Sequence, residues 1–564
     1  MNSRSTGSEK RFPAGRAWAL CAGLLLLAAP AWALDLAVPC VHADSLWASG
    51  YSGAGVEVGV IDLFLADGTH PAISAGYRGA ENFAGSASFV SQHATQVAGV
   101  VASRDATYTG AAPEAGFWTG QTTNRGTITK LRNQTVAIET FGQGLAGLNG
   151  NPVEVITLSI STGGVTDALD QWSLAIDHVV HTNGPTVTVA AGNYGPGAGT
   201  LGGPPSAAYN AIVVGATGDT AGSPSEDYSR LAGYSSRGPT ADGRCKPDIV
   251  APGSAVHMPG LSGTWTDASG TSFATPLVAG GAALLIDMGR SLGHSTDPKV
   301  IKSVLLNSAD KLAGWSNTPT RPLDHAQGAG QMNLRTAHRQ YLPDEADPGD
   351  VAGIGWDRQD LASGAENLRQ MDVDLPAGAV VAATLTWDRI VTTDSEDIED
   401  VVYSFVHLDN LELYLYRSDD LTTPVAASVS NVDNVEHIYH SIAEPGRYVI
   451  GVELPGTGAE TYALSWRVGP GPGMDLPGDL TLDGTVNYLD LGILTTNYGR
   501  TDATWFAGDF TGEGLVNYLD LGILATNYGA GGVASEVPEP AGMALLLAAA
   551  AGLTARRGRG RRVV

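Results

Sequence analysis

Cysteine is scarce in this chain, with three residues among 564. Cys21 lies in an apolar segment near the N-terminus, which leaves Cys40 and Cys245 for the rest of the chain. An oxidising compartment would permit one disulfide between them, and the spacing leaves open whether the two residues meet. With at most one disulfide, a chain of this length must be held together by its hydrophobic cores.

Positive charge is also in short supply. The chain has 32 Lys and Arg against 58 Asp and Glu, a formal net charge of -26. Because such an acidic surface repels the phosphate backbone of nucleic acids, we expect no nucleic-acid partner. The same balance is typical of an exported protein that binds calcium.

Long hydrophobic runs are confined to the two ends of the chain. Residues 1–33 contain a basic start, an apolar stretch through Leu24–Leu27 and a small-residue exit at Ala31–Ala33. This order predicts a secretory signal peptide. A membrane anchor is the alternative, but the apolar core is short for a membrane span.

Strand and helix patterns alternate between residues 34 and 342, which predicts an α/β domain with a mainly parallel sheet. Strands are expected at Val56–Asp62, Val155–Ser161 and Val187–Asn193, and a helix at Trp172–Val180. The pattern over Pro298–Ala309 predicts a surface helix.

Gly270–Pro276, followed by the apolar run Leu277–Leu285, has the pattern of a nucleophile at the start of a buried helix. Proline is tolerated in the first helical turn, where we expect Pro276. Free N–H groups and the helix dipole beside Ser272 would stabilise an oxyanion. A glycine turn leading into a core helix is the alternative for this motif alone.

A serine nucleophile needs a base and a carboxylate that orients the base. Asp62 ends a β-branched run, His93 precedes a small-residue helix, and Asn193 follows a third strand with an amide that could donate to an oxyanion. The chain order Asp, His, Ser is that of subtilisin.

On these motifs, residues from about 44 to 341 resemble the subtilisin family of serine proteases. Two further segments, Tyr234–Thr240 and Lys246–Gly253, match the family pattern ahead of the serine helix. The resemblance implies that Asp62 orients, that His93 is the general base and acid, that Ser272 is the nucleophile and that Asn193 is the oxyanion amide. It also implies a polypeptide substrate that pairs with the segment around residues 159–161.

The chain departs from the family pattern beside two of these residues. Leu63–Leu65 replaces the usual Thr-Gly or Ser-Gly after the aspartate, and Ala94 and Gln96 replace the glycine and second histidine of the usual His-Gly-Thr-His. Residues 34–55 leave little room for the inhibitory propeptide of many secreted relatives. These departures motivate an alternative function, a catalytically weak or inactive adhesion or scaffold protein. His70, in a second matching His-Pro, is expected to be structural.

After a polar linker at residues 343–350, the pattern changes to strands alone and predicts a β-sandwich at residues 349–470. The acidic loop at residues 394–400 is expected to be solvated or to attract cations. Nothing in this region suggests catalysis.

A strong repeat follows within residues 477–530, where residues 478–494 recur as residues 508–524. Each copy has oxygen-bearing residues at positions 1, 3, 5, 9 and 12 of an EF-hand-like loop and glycine at position 6. The tandem arrangement resembles a dockerin type I domain, which implies two calcium ions and a possible cohesin-like partner. A turn-rich acidic linker is the alternative. The implied side-chain ligands are Asp479, Thr481, Asp483, Asn487 and Asp490, then Asp509, Thr511, Glu513, Asn517 and Asp520.

The C-terminal tail, residues 537–564, consists of Val-Pro-Glu-Pro, an apolar run and an arginine cluster. Together these parts resemble a PEP-CTERM sorting signal, which implies sorting machinery at the inner membrane and a destination at the cell envelope, the cell surface or outside the cell. An ordinary C-terminal anchor is the alternative. The chain as a whole is therefore expected to be an exported, surface-directed, calcium-binding serine endopeptidase.

Overall fold

The computed structural model describes residues 33–85, 87–123, 131–148, 150–219, 226–470, 476–481, 485–501, 503–511 and 514–530. The predicted sorting tail and all but the last residue of the predicted signal peptide lie outside the described residues. Asp483 and Glu513, two of the implied calcium ligands, also lie outside them.

A seven-stranded sheet in which every strand pair is parallel forms the centre of the N-terminal half. Its inner strands are buried on both faces, which explains their β-branched composition. In spatial order the strands are β2 (Tyr77–Asn82), β3 (Gly116–Gln121), β1 (Glu57–Asp62), β4 (Val155–Leu158), β5 (Thr186–Ala190), β6 (Ile212–Thr217) and β7 (Ile249–Pro252).

Helices cover both faces of this sheet and create two hydrophobic cores, as the alternation of side chains along a strand requires. Val58 and Val60 belong to one core, and Ile61 to the other. The first core contains α1 (Ala33–Cys40), α2 (Ala43–Ala48), α3 (Gln92–Ala102), α6 (Thr271–Leu292), α7 (Pro298–Asn307) and α8 (Leu334–Tyr341). The second contains α4 (Leu131–Gln143) and α5 (Gln171–Asn183).

α6 is long and apolar enough to cross a membrane, but 94% of its most apolar 18-residue segment is buried inside the fold, as expected of a core helix. A hairpin of β8 (Val256–Pro259) and β9 (Trp265–Ala268) precedes it. Short 3-10 helices lie at Ala146–Leu148, Leu261–Gly263 and Trp505–Ala507.

Two further sheets follow the α/β layers and enclose a core of their own, in agreement with the predicted change to strands alone. One sheet contains β10 (Gly349–Val351), β12 (Glu366–Met371), β19 (Tyr448–Glu453), β16 (Glu412–Arg417) and β17 (Ala426–Ser428). The other contains β11 (Ile354–Ala362), β20 (Ala459–Pro470), β13 (Ala379–Thr386) and β18 (Val435–Ser441). A hairpin of β14 (Ile390–Thr393) and β15 (Tyr403–His407) packs against α5.

The prediction that α7 is a surface helix is wrong. Its apolar residues are fully buried, because the sheet that contains β13 and β20 covers the side of α7 that faces away from the parallel sheet. Ser303 and Ser465 share a hydrogen bond of 2.8 Å across this boundary, and Thr384 donates to Asn307 at 3.0 Å. The β-rich region thus forms part of the support of the α/β domain.

Leu305 in α7 offers a test of this packing. Leu305→Ala is expected to lower the free energy of unfolding by about 2–5 kcal/mol, because the side chain is fully buried. Leu292→Ala, at a partly exposed site in the last turn of α6, is the matched control and should cost much less. Chemical denaturation of the two variants measures the difference, and equal losses would contradict the packing.

The tandem repeat forms two loop-helix units around a small shared core. α9 (Tyr488–Thr496) and α10 (Tyr518–Asn527) each begin at an asparagine cap whose partner is an aspartate three residues on, at Asp490 and Asp520. Reciprocal backbone hydrogen bonds join the units: Gly499 donates to Val516 at 2.8 Å, and Gly529 donates to Val486 at 2.8 Å.

Candidate functional site

Three residues expected at the site lie at one edge of the parallel sheet. Asp62 is the last residue of β1, Ser159 follows β4 directly, and Asn193 lies three residues beyond β5. Because β1, β4 and β5 are neighbours, their carboxyl ends open onto a common crevice, where ligands bind in parallel α/β sheets.

Asp62 and His93 form a close pair in this crevice. His93 Nδ1 lies 2.6 Å from Asp62 Oδ2, and the other carboxylate oxygen accepts the Leu63 N–H at 2.6 Å. Asp62 is buried, whereas 38% of the His93 side chain is exposed. The carboxylate is therefore oriented by the backbone, and the imidazole keeps a face toward solvent.

A backbone bridge between two loops brings these residues together. Leu65 donates to Phe89 at 2.8 Å, and Ser91 donates to Leu65 at 2.9 Å. Ser91 then caps α3 by accepting the Ala94 N–H at 3.1 Å, which places His93 in the first turn of the helix. The segment after Asp62 thereby sets the position of His93.

The environment of His93 raises the pKa of its imidazole above the ordinary value of 6.5. Burial alone lowers this pKa, but the negative charge of Asp62 and its hydrogen bond together outweigh the burial. The arrangement therefore stabilises the imidazolium that a general base forms when it accepts a proton.

Ser272 is the second residue of α6, at the positive end of the helix dipole. Its hydroxyl donates to the Ser159 carbonyl at 3.3 Å, and the ring of the next residue, Phe273, has its centroid 5.7 Å from that of His93. Proton transfer to the imidazole requires the hydroxyl to turn from Ser159 toward His93.

Thr271 orients Asn193, and sequence reasoning missed this residue. Asn193 Oδ1 accepts two hydrogen bonds from Thr271, one from its backbone N–H at 2.9 Å and one from its hydroxyl at 3.1 Å. The Thr271 hydroxyl in turn accepts the Gly192 N–H at 3.2 Å. With the amide oxygen engaged in this way, the NH₂ group of Asn193 is left as a donor for an oxyanion. The position of Thr271 directly before the serine of the Gly-Thr-Ser motif could have indicated this role from the sequence.

Comparison with known proteins agrees with this geometry. The model of the subtilase family matches residues 53–330. Serine protease AprX of Bacillus subtilis (strain 168) is 30% identical over 54% of this chain and 71% of its own length. Subtilisin DY of Bacillus licheniformis is 30% identical over 48% of this chain and 92% of its own.

The chain belongs to the subtilase family. Pyrolysin of Pyrococcus furiosus is 36% identical over 31% of this chain, but the match spans 14% of pyrolysin's own length. The matches to AprX and subtilisin DY place the chain among serine endopeptidases. The described residues carry an α/β fold with a parallel sheet, as expected for this family.

Structural contacts account for Gln96 and Ala94, which depart from the usual subtilase motif around the histidine. Gln96 is buried and donates to the Thr266 hydroxyl at 2.9 Å, which ties α3 to β9. Ala94 is fully buried in the first core. The predicted structural role of His70 fits its contacts, because Nδ1 accepts the Ala72 N–H at 3.2 Å and Nε2 lies 3.1 Å from the Thr264 carbonyl.

The fold corrects one expectation from the sequence and decides one question that the sequence left open. Pro276 is the sixth residue of α6 and so lies beyond the first turn predicted for it. Cys40 and Cys245 are both free thiols: Cys40 Sγ accepts from Gln331 at 3.2 Å, and Cys245 Sγ donates to the Leu323 carbonyl at 3.3 Å. The disulfide that the compartment would permit is absent.

The first repeat loop brings together oxygen atoms from its two ends. The Thr481 hydroxyl lies 3.2 Å from Asp479 Oδ1, and the Thr481 N–H donates to Asp490 Oδ1 at 3.0 Å. Asp479 and Asp490 are both buried. Asn487 accepts from Leu489 at the start of α9 and so contributes a helix cap.

The second loop repeats this arrangement. The corresponding distances are 3.1 Å from the Thr511 hydroxyl to Asp509 and 3.0 Å from the Thr511 N–H to Asp520. Asp509 and Asp520 are buried, and Asn517 caps α10. Carboxylate and hydroxyl oxygens are donor types that Ca²⁺ prefers. Among the described residues, however, no group of three or more His, Cys, Asp or Glu side chains is placed to hold a metal ion.

The acidic loop of the β-rich region contacts the α/β domain through an ion pair. Glu399 pairs with Arg132 at 2.6 Å, beside the N-terminus of α4. Asp394 and Asp397 accept backbone N–H groups of their own loop at 2.8 and 3.0 Å. These bonds stabilise the conformation of the loop.

Proposed function

We propose that this subtilase is an exported endopeptidase that hydrolyses peptide bonds through Asp62, His93 and Ser272. The 2.6 Å contact between Asp62 and His93, at the sheet edge that also receives Ser272, carries this proposal. His93 takes the Ser272 proton as the oxygen attacks a peptide carbonyl, and Asp62 stabilises the imidazolium. His93 then protonates the leaving amine, and water hydrolyses the acyl-enzyme.

The oxyanion of the tetrahedral intermediate would be received by the Asn193 amide and the Ser272 N–H. The hydrogen bonds from Thr271 to Asn193 favour this assignment, since they hold the amide in one orientation before the substrate arrives. Donors that are already oriented need no reorganisation when charge develops. The polypeptide substrate would lie along the segment that follows β4.

Covalent labelling of the purified chain with a fluorophosphonate tests this function. A nucleophile activated by His93 should be labelled at Ser272, as located by peptide mass spectrometry. Absence of labelling, in protein shown to be folded by circular dichroism, would contradict the proposal and favour the adhesion or scaffold function. We do not favour that alternative, because the residues that depart from the family motifs are packed and leave the Asp62–His93 pair in contact.

We further propose that each repeat loop binds one calcium ion, in the manner of a dockerin type I domain. The supporting observation is the convergence of Asp479, Thr481 and Asp490, matched by Asp509, Thr511 and Asp520. A bound ion would cross-link the two ends of each loop. Asp483, Asn487, Glu513 and Asn517 complete the proposed ligand sets.

Asp490→Asn and Asp520→Asn test the two calcium loops separately. Each substitution is expected to lower the calcium affinity of its own loop at least about tenfold, because the amide removes the charge of a ligand. Isothermal titration with CaCl₂ should show two binding sites in the wild-type chain, and one unchanged and one weakened site in each single variant. Asp372→Asn, an aspartate outside the loops that pairs with Arg500, is the matched control. Unchanged binding in both loop variants would contradict the assignment.

The repeat also offers a surface for a protein partner of the cohesin kind. Tyr488 and Leu489 at the start of α9 are 67% and 48% exposed, and Tyr518 and Leu519 at the start of α10 are 70% and 44% exposed. Aromatic and apolar side chains in exposed pairs are typical of interaction surfaces.

Export and inner-membrane sorting to the envelope or surface are proposed from the terminal sequences.

A further inference from the structure

Pro276 removes a hydrogen bond from the turn that carries the nucleophile. In an α-helix the N–H of residue 276 would donate to the carbonyl of residue 272, four positions earlier. Proline has no N–H, and in α6 it lies at the sixth position, past the turn where this loss has no consequence. The carbonyl group of the proposed nucleophile therefore lacks its regular helical donor.

The Ser159 hydroxyl supplies a donor to this carbonyl. Ser159 Oγ donates to the Ser272 carbonyl at 2.8 Å, and the Ser272 hydroxyl donates to the Ser159 carbonyl at 3.3 Å. Ser159 is 5% exposed and directly follows β4, which lies between β1 and β5 in the sheet. The reciprocal pair thus joins a central strand of the sheet to the first turn of α6.

We propose that Ser159 is a positioning residue for the nucleophile. Its hydroxyl replaces the N–H donor that Pro276 lacks, and the resulting hydrogen bond to the Ser272 carbonyl keeps the Ser272 side chain in position to react with His93. The inference rests on the proposed function, and it concerns the side chain of Ser159, whereas any contact with substrate backbone would use main-chain atoms. Small errors in the position of a reacting group cost large factors in rate.

A double-mutant cycle of Ser159→Ala and Pro276→Ala tests this proposal in the full chain. Ser159→Ala is expected to lower the second-order rate constant for fluorophosphonate labelling about tenfold. Alanine at position 276 restores an N–H to the helix, so adding Ser159→Ala to Pro276→Ala should cost less than about threefold. This non-additivity distinguishes a shared hydrogen-bond acceptor from two independent defects.

Two controls separate positioning from general damage. Ser303→Ala, at a fully buried serine of α7, should leave the labelling rate unchanged. The acid limb of the pH profile of labelling should be the same in Ser159→Ala and wild type, because the Asp62–His93 pair is untouched. Equal losses from Ser159→Ala in both backgrounds, or a shifted acid limb, would overturn the proposal.

Amide hydrogen exchange provides a readout that does not depend on catalysis. Ser159→Ala should speed exchange of the amides in the first turn of α6, and Pro276→Ala should reverse this effect. If the wild type is not labelled at all, the proposed function fails, while exchange still decides the role of Ser159. First-turn exchange that is insensitive to Ser159→Ala would overturn the positioning role whether or not labelling occurs.

Discussion

Ser272→Ala is expected to lower kcat for peptide hydrolysis by about 10⁶-fold, a loss of the size seen when a subtilisin nucleophile is removed. Without the hydroxyl no acyl-enzyme forms, and the activity that remains comes from substrate binding and oxyanion stabilisation. Cleavage of a fluorogenic casein, with product formation followed for hours, measures the loss. Fluorophosphonate labelling should disappear in the same variant.

Ser74→Ala is the matched control for this result, since Ser74 is exposed and its hydroxyl makes only a long contact, 3.5 Å, with the Pro71 carbonyl. Both variants should unfold at the temperature of the wild type, because Ser272 is only half-buried and alanine is tolerated in helices. Hydrolysis that persists in Ser272→Ala would show that the nucleophile is another residue.

Asp62→Asn is expected to lower kcat by about 10⁴-fold, the effect of this substitution in another serine protease. The carboxylate accepts at His93 Nδ1, so it selects the tautomer whose Nε2 can take a proton. Asparagine can donate an N–H at the same place and select the other tautomer. Casein cleavage at saturating concentration measures the change in kcat, with Asp44→Asn, an exposed aspartate in α2, as control.

The same substitution should shift the pH dependence. His93 acts as a base only when neutral, so activity falls as the pH drops through its pKa, which lies above 6.5 because the charge and hydrogen bond of Asp62 outweigh burial. In Asp62→Asn burial is no longer opposed, and the acid limb of kcat/KM should move to lower pH. An acid limb that stays in place would mean that the titrating group is not His93.

Local sequence and the family resemblance supplied the four residues proposed for catalysis, but not Thr271. Asp62 ends a β-branched run and His93 precedes a small-residue helix, and the structure has a strand that ends at Asp62 and a helix whose first turn contains His93. The alternation of strands and helices likewise predicts the parallel sheet, since each helix returns the chain to the end of the sheet at which the previous strand began. The repeat was visible because its two copies share 13 of 17 residues.

Other features depend on contacts between distant segments. α7 has the polarity of a surface helix, but it is buried because strands β13 and β20 pack over it, with hydrogen bonds to residues 77 and 162 positions later. The Pro276 prediction failed because the helix begins at Thr271, and nothing in the local sequence shows that Ser159, 113 residues before Ser272, completes its first turn. Contacts at such separations have no periodic signature.

The sequence by itself determined the candidates for the reacting groups, their order in the chain, the strand-helix alternation and the doubled loop, because each depends on neighbouring residues. Only the tertiary structure decided that Asp62 and His93 meet at 2.6 Å, that Cys40 and Cys245 remain free thiols, and that Ser159, at the end of a strand, donates to the first turn of α6. The physical reason is that distances between segments are set by the packing of the whole sheet and its cores, which no single segment encodes.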